Sequence, residues 1–204
     1  MSVPLSPPRY SVEEYLALER ASEERNESLD GQIYAMAGES VANGDICINL
    51  AAELRAQLRG GPCRVLSKDL KVRSGPAPKT SYSRKGLFSY PDLVVICGGP
   101  QFQDQHRDVL LNPAVIIEVL SPSSEAFDRG EKWLRYQTWL PNLAHYVLVS
   151  QTRPEVEHFE RQRDGRWLYS LLAGVESILR LESIDCSFAL GEIYDRVTFA
   201  TEET

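Results

Sequence analysis

Ile46, Leu50, Leu54 and Leu58 recur at every fourth position, with Cys47 and Ala51 beside them. That spacing predicts an amphipathic helix, capped by Asn43 and stopped at Gly60-Gly61-Pro62. Upstream, Ser11-Val12-Glu13-Glu14 reads as a capping box that opens a helix running to Glu24. Asp30-Gly31, set between Leu29 and Ile33-Tyr34, predicts a tight hairpin turn. From Cys63 to Arg73 the pattern alternates and predicts a strand, and residues 74–89, rich in Gly, Pro, Ser, Lys and Arg, read as a mobile loop. Two continuous apolar runs follow, at 92–97 and 114–120, as expected for strands buried on both faces. A loop at 121–125 leads into a helix over 126–140 that ends at Pro141. Then come a buried strand at 146–150, a hairpin turning at Asp164-Gly165, a short strand at 178–181 and a helix at 190–194.

This order predicts one α/β domain over residues 11–196. A proline-rich arm at 1–10 precedes it and a short tail at 197–204 follows. A chain of 204 residues is long enough for a core of its own. No apolar run approaches the ~18 residues of a membrane span, and no signal peptide is visible at the start. The four cysteines show no disulfide framework, and the three histidines are scattered, with no zinc-site spacing. The expected setting is a reducing cytoplasm with no membrane partner.

A net charge of −7 argues, as an average, against a nucleic-acid binder. The average hides an asymmetry. Residues 55–85 hold nine basic side chains and one acid, Asp69. The remaining chain has thirteen basic against twenty-eight acidic residues. Arg55 and Arg59 also suit the dipole at the end of a helix, so part of the cluster has a structural reading.

Two carboxylates stand where they are costly. Asp92 opens an apolar strand after Pro91, and Glu118 interrupts Ala-Val-Ile-Ile-Glu-Val-Leu. A desolvated carboxylate needs a partner, water or a metal. Taken singly, Asp92 reads as a strand-start cap and Glu118 as a salt-bridge partner. Taken together, on neighbouring strands, they suit one hard cation such as Mg²⁺. Lys132 is spaced four residues from both Asp128 and Tyr136. It reads either as a surface ion pair with Asp128 or as an ammonium facing the end of the Glu118 strand. No Walker loop, GxSxG or GxGxxG is present.

Pro91-Asp92, Glu118-Val119-Leu120-Ser121-Pro122-Ser123-Ser124, Asp128-Arg129-Gly130-Glu131-Lys132 and Tyr136 together resemble the Uma-two family. These restriction-endonuclease-like proteins are assigned to the PD-(D/E)XK nuclease superfamily. The resemblance extends over about residues 9–195. It implies a restriction-endonuclease-like α/β core with a mixed central β-sheet flanked by helices, and Mg²⁺-dependent cleavage of DNA, with Mn²⁺ as a substitute. It also implies that Asp92 and Glu118 are the metal ligands. The strand lysine usual two residues after the acid is replaced here by Leu120, and Lys132 on the next helix matches the family's substitute. Glu27, read within the first helical region, resembles an accessory acid, and Asp69 is a further acid near the basic stretch. Asn43 stands where the family often has histidine. Lys68, Lys71, Arg73, Lys79, Arg84 and Lys85 are the expected phosphate contacts, with the loop as a clamp. The basic segment is expected to border the pocket holding Asp92, Glu118 and Lys132. Duplex cleavage needs two cuts, which suggests a homodimer. The competing readings are a nucleic-acid-binding or regulatory protein on a nuclease fold without efficient catalysis, and a structural domain whose acids are ordinary ion-pair partners.

Overall fold

A computed structural model describes residues 8–36 and 38–199. Most of the expected arm and the end of the tail therefore lie outside the described residues. Helix α1 (Val12–Ala21) starts at the expected capping box: Ser11 N–H donates to Glu14 Oε2 at 2.7 Å and Glu14 N–H donates to Ser11 Oγ at 3.2 Å. It ends three residues before Glu24, because Ser22 is already extended. Strands β1 (Asn26–Leu29) and β2 (Gln32–Ala35) form the hairpin whose turn, Asp30-Gly31, has positive φ at both residues. Helix α2 (Val41–Gln57) is capped by Ser40 rather than Asn43. Ser40 Oγ accepts from Asn43 N–H at 3.0 Å, which leaves Asn43 inside the helix.

The expected strand 63–73 is in fact two strands in different sheets, β3 (Cys63–Ser67) and β4 (Lys71–Ser74). The expected loop 74–89 is shorter too, since Leu87–Ser89 forms a buried strand, β5. At its neck Gly75 and Gly86 face each other. A Cβ on Gly75 would lie 2.5 Å from Gly86 Cα, so no other residue fits there without movement. Strands β6 (Leu93–Cys97), β7 (Val109–Leu110) and β8 (Val115–Leu120) follow. The expected helix 126–140 is interrupted. It consists of α3 (Glu125–Phe127), a π turn over Asp128–Lys132, and α4 (Trp133–Trp139). Strands β9 (His145–Ser150), β10 (Glu155–Arg161), β11 (Trp167–Ala173), β12 (Ile178–Leu181) and β13 (Cys186–Ala189) lead to α5 (Leu190–Ile193).

The architecture is mixed α/β. A six-stranded sheet runs in the order β11-β10-β9-β8-β6-β3, and only its β8–β9 pair is parallel. Its side chains alternate between two cores. Leu93, Val95, Ile117, Val147 and Val149 pack under α2 through Ile46, Leu50 and Leu54. Val94, Ile96, Ile116, Leu120 and Leu148 pack on the opposite face with Tyr136 and Leu140 of the α4 region. A second sheet, ordered β2-β1-β5-β4-β7, was not foreseen in the sequence; its Val72 and Leu87 close the same core over Tyr136.

The cysteines, which show no framework spacing in the sequence, include one bonded pair. Cys63 and Cys97 are register partners on β3 and β6 and are bonded, while Cys47 and Cys186 are buried thiols.

Candidate metal-dependent active site

The alternation of the sheet decides where the two acids point. Glu118 shares the face of Ile116 and Leu120, so it projects toward α4, and Asp92 stands immediately before β6, two positions from Val94 on the same alternation. Their strands pair with Leu93 opposite Ile117. One step further along the same register puts Asp92 opposite Glu118, the closest cross-strand relation a sheet offers. Asp92 Oδ2 accepts from Val119 N–H at 2.7 Å, which fixes the carboxylate at the strand end.

Facing this pair, the π turn and α4 present Lys132 and Tyr136 on one side of the helix. Lys132 Nζ lies 3.3 Å from Glu118 Oε1, 3.2 Å from Glu27 Oε1 and 3.0 Å from Asp128 Oδ1. Tyr136 OH donates to the same Glu118 oxygen at 3.3 Å and shares a 2.7 Å hydrogen bond with Ser89 Oγ. Glu118 and Lys132 are each 4 % exposed, and Asp128 2 %. The ion pair with Asp128 is thus buried and belongs to the site, and the two readings of Lys132 merge into one. Burial pushes the Glu118 carboxyl well up from its ordinary range against the pull of Lys132. Burial alone would lower Lys132, but the carboxylates of Glu118 and Glu27 outweigh it and hold the ammonium protonated. Asp92 is raised by burial, partly offset by Val119 N–H and Lys68.

Glu27 lies on β1, not on a helix as the sequence suggested. Its Oε1 also accepts from Tyr90 N–H at 3.0 Å, so the second sheet delivers it to the cluster. These groups line a cleft of about 690 Å³. One wall is Tyr34, Met36 and Glu39; the other is the serine loop Ser121–Ser124 with Phe127. Asn43 borders it as well, donating through Nδ2 to Val119 O at 3.4 Å. Asp128 and Glu39 were missed in the sequence. The spacing of Asp128 to Lys132 was visible, but its burial depends on the π turn; nothing in the sequence marked Glu39.

The basic segment is placed differently from expectation. None of residues 55–85 lines the cleft. Lys71 is buried, donating to Tyr90 OH at 3.0 Å and pairing with Asp108 at 3.3 Å. Arg73 is buried too, with its guanidinium on Pro76 O and above the Phe88 ring. Lys79, Arg84 and Lys85 are exposed on a loop that packs against the β1–β2 turn through Asp30 N–H to Gly86 O and Gly86 N–H to Asp30 Oδ1. Asp69 pairs with Arg25 on the surface. Only Lys68 reaches the acids, pairing with Glu39 and lying 3.6 Å from Asp92 Oδ1.

Hard oxygen donors in this arrangement fit a divalent cation. Among the described residues every contact of Glu118 falls on Oε1, which leaves Oε2 open to the cleft. No three metal-binding side chains converge among the described residues. The protein would therefore give two carboxylates and leave the other positions to water and phosphate oxygens, the coordination Mg²⁺ favours. Among the described residues no helix is long and apolar enough to cross a membrane.

Known proteins show the family and the fold of this chain. The family model Uma2, described as "Putative restriction endonuclease", matches residues 12–190. Two Synechocystis sp. proteins are similar over most of their length. Uncharacterized protein slr1290 is 36% identical, covering 94% of this chain and 95% of its own. Uncharacterized protein sll1609 is 32% identical, covering 79% and 86%. A crystal structure from Anabaena variabilis, described as a putative nuclease belonging to DUF820, superposes with a TM-score of 0.70 at 14% identity over 90% of this chain and 97% of that one. At that identity the likeness shows the fold.

Proposed function

The chain belongs to the Uma2 family of putative restriction endonucleases, and from that premise we propose that it is a Mg²⁺-dependent endonuclease hydrolysing DNA phosphodiester bonds. The observation that carries the reading is the placement of Asp92 one step beyond the Leu93–Ile117 pair, next to Glu118 and its buried ammonium partner Lys132. Mg²⁺ or Mn²⁺ held by Asp92 and Glu118 would supply Lewis-acid activation of the attacking water and of the phosphate. Lys132, fixed by three carboxylates, is an always-charged donor that orients a water or a phosphate oxygen and offsets charge built up in the transition state. Glu27 and Tyr136 hold that ammonium and Glu118 in place.

Lys79, Arg84 and Lys85 are the proposed phosphate contacts outside the cleft; Lys71 and Arg73 leave that set, being committed internally. The proposed setting is the cytoplasm. Supercoiled plasmid incubated with the protein and Mg²⁺ or Mn²⁺ is expected to be nicked or linearised, and EDTA to stop it. The double variant Lys79→Glu with Arg84→Glu is expected to bind DNA several-fold more weakly with a shallower salt slope. DNA bound but never cut would favour a regulatory protein on a nuclease fold.

The proposed partner besides DNA is a second copy. Strand β11 is a free edge of the six-stranded sheet, carries no charge or proline, and exposes Leu168, Tyr169 and Leu171. Such edges invite strand pairing. An antiparallel pair centred on Ser170 sets Leu168 of one copy against Leu172 of the other. Ser170→Cys is then expected to give a disulfide-linked dimer on mild oxidation; a monomer on a sizing column with no cross-link would rule out this edge.

A further inference from the structure

Lys68 stands in the same row as the acid pair. Ser67 is the register partner of Leu93, and Leu93 of Ile117. One residue further on, Lys68, Asp92 and Glu118 fall side by side across three neighbouring strands. Of the two Asp92 oxygens, Oδ2 is held by Val119 N–H at 2.7 Å. The other, Oδ1, is the one left for a cation, and it is the oxygen that Lys68 faces at 3.6 Å. Lys132 cannot leave its place, since three carboxylates surround it. Lys68 is differently held. Its second partner, Glu39, sits at the cleft mouth just before the α2 cap and is far more exposed than Lys68 itself.

We infer that Lys68 is a resident counter-charge: held on Glu39, its ammonium stands over Asp92 Oδ1 and competes there with an incoming divalent ion. This rests on the metal-site reading above. An ammonium beside a metal ligand competes for the same oxygen and repels the incoming ion, so it sets the concentration at which the site fills. Among the described residues the cleft lining holds Glu27, Glu39, Asp92, Glu118 and Asp128 against Lys132 alone, and Lys68 reaches Asp92 and Glu39 from outside that lining. Without Lys68 that acidic pocket would take up divalent ions more readily and would lack a charge that tells the loaded state from the empty one.

The test is Mn²⁺ binding without DNA, followed by electron paramagnetic resonance of free Mn²⁺ and by the rise of the melting temperature with Mn²⁺ concentration. Lys68→Met is expected to bind Mn²⁺ roughly tenfold more tightly than the native chain. Lys68→Arg should stay near the native value, and Arg64→Met, on β3 and with no contact to Asp92 or Glu39, should match it. Lys68→Gln keeps a polar head and serves as the second neutral variant should methionine disturb the corner. Native-like or weaker Mn²⁺ affinity in both neutral variants would overturn the inference. Absence of Mn²⁺ binding in native chain and variants alike would instead overturn the metal-site reading, and this inference with it.

Discussion

Lys132→Met is expected to destabilise the fold by roughly 3–5 kcal/mol, whereas Glu118→Gln leaves the fold standing and reduces DNA cleavage by about a hundredfold or more. The asymmetry follows from the count of charges around one nitrogen. Among the described residues Lys132 is the one cation lining the cleft, within 3.3 Å of Glu118, Glu27 and Asp128. Methionine fills the same volume, yet leaves three carboxylates facing one another in a desolvated space. Glutamine at 118 removes one anion from a surplus, keeps an oxygen for Lys132 and Tyr136, and deletes a ligand charge. Urea melts of both variants beside plasmid cleavage by Glu118→Gln test this. A Lys132→Met protein as stable as the native one would show that the cluster is not ionised as described.

Stability is expected to fall by about 3 kcal/mol between pH 6.5 and 4.5 through one buried imidazole pair. His145 Nδ1 lies 2.9 Å from His158 Nε2, and His145 Nε2 accepts Ser183 N–H at 3.3 Å. His145 therefore carries its proton on Nδ1 and donates it to His158, so neither ring has room for a second proton without losing a partner. Burial, with mutual repulsion at His145, lowers both to about 4. The sign follows directly. Below an unfolded value of about 6.5 the unfolded chain binds protons that the folded chain refuses, so stability is complete above that pH and is lost as pH drops toward 4. Asp92 and Glu118, raised by burial, work in the opposite direction. The clean measurement is therefore a difference: urea stability at pH 7.5, 5.5 and 4.5 for the native chain and for His145→Phe with His158→Leu. The variant should lose most of the slope, and equal slopes would sink the assignment.

What could be read from the sequence was whatever a local rule encodes. The capping box at Ser11, the Asp30-Gly31 turn and the α2 stripe each depend on neighbours within a few residues, and each is present. Glu118 and Lys132 lie 3.3 Å apart and Asp92 stands one register step from Glu118, relations that rest on strand alternation and an i,i+4 helix face, which are periodic properties. The misreadings are non-local. Nothing between Cys63 and Arg73 announces that the chain changes sheets at Lys68, and that change buries Lys71 and Arg73 against Tyr90, Asp108 and Phe88. Charge counted along the chain is blind to partners such as Asp108, which lies 37 positions beyond Lys71. Cys63 and Cys97 likewise become neighbours only through strand pairing.

The π turn at Asp128–Lys132 fixes a phase relation. An α-helix advances about 100° per residue, and a π turn absorbs one residue more than an α turn. Upstream of the phase step, the Asp128 carbonyl takes the Tyr146 hydroxyl at 3.0 Å. Downstream, Trp133 stacks on Tyr146 at 5.5 Å and meets Trp167 edge-on at 4.7 Å. Both sides grip the same tyrosine, so the helix cannot rotate to relax. Deleting Gly130 would restore a regular helix with the tryptophan stack still in phase, but would set Lys132 three positions from Asp128 in place of four. The segment thus behaves as a keyed shaft: length changes that a surface helix would absorb are here forced to break either the aromatic packing or the buried ammonium.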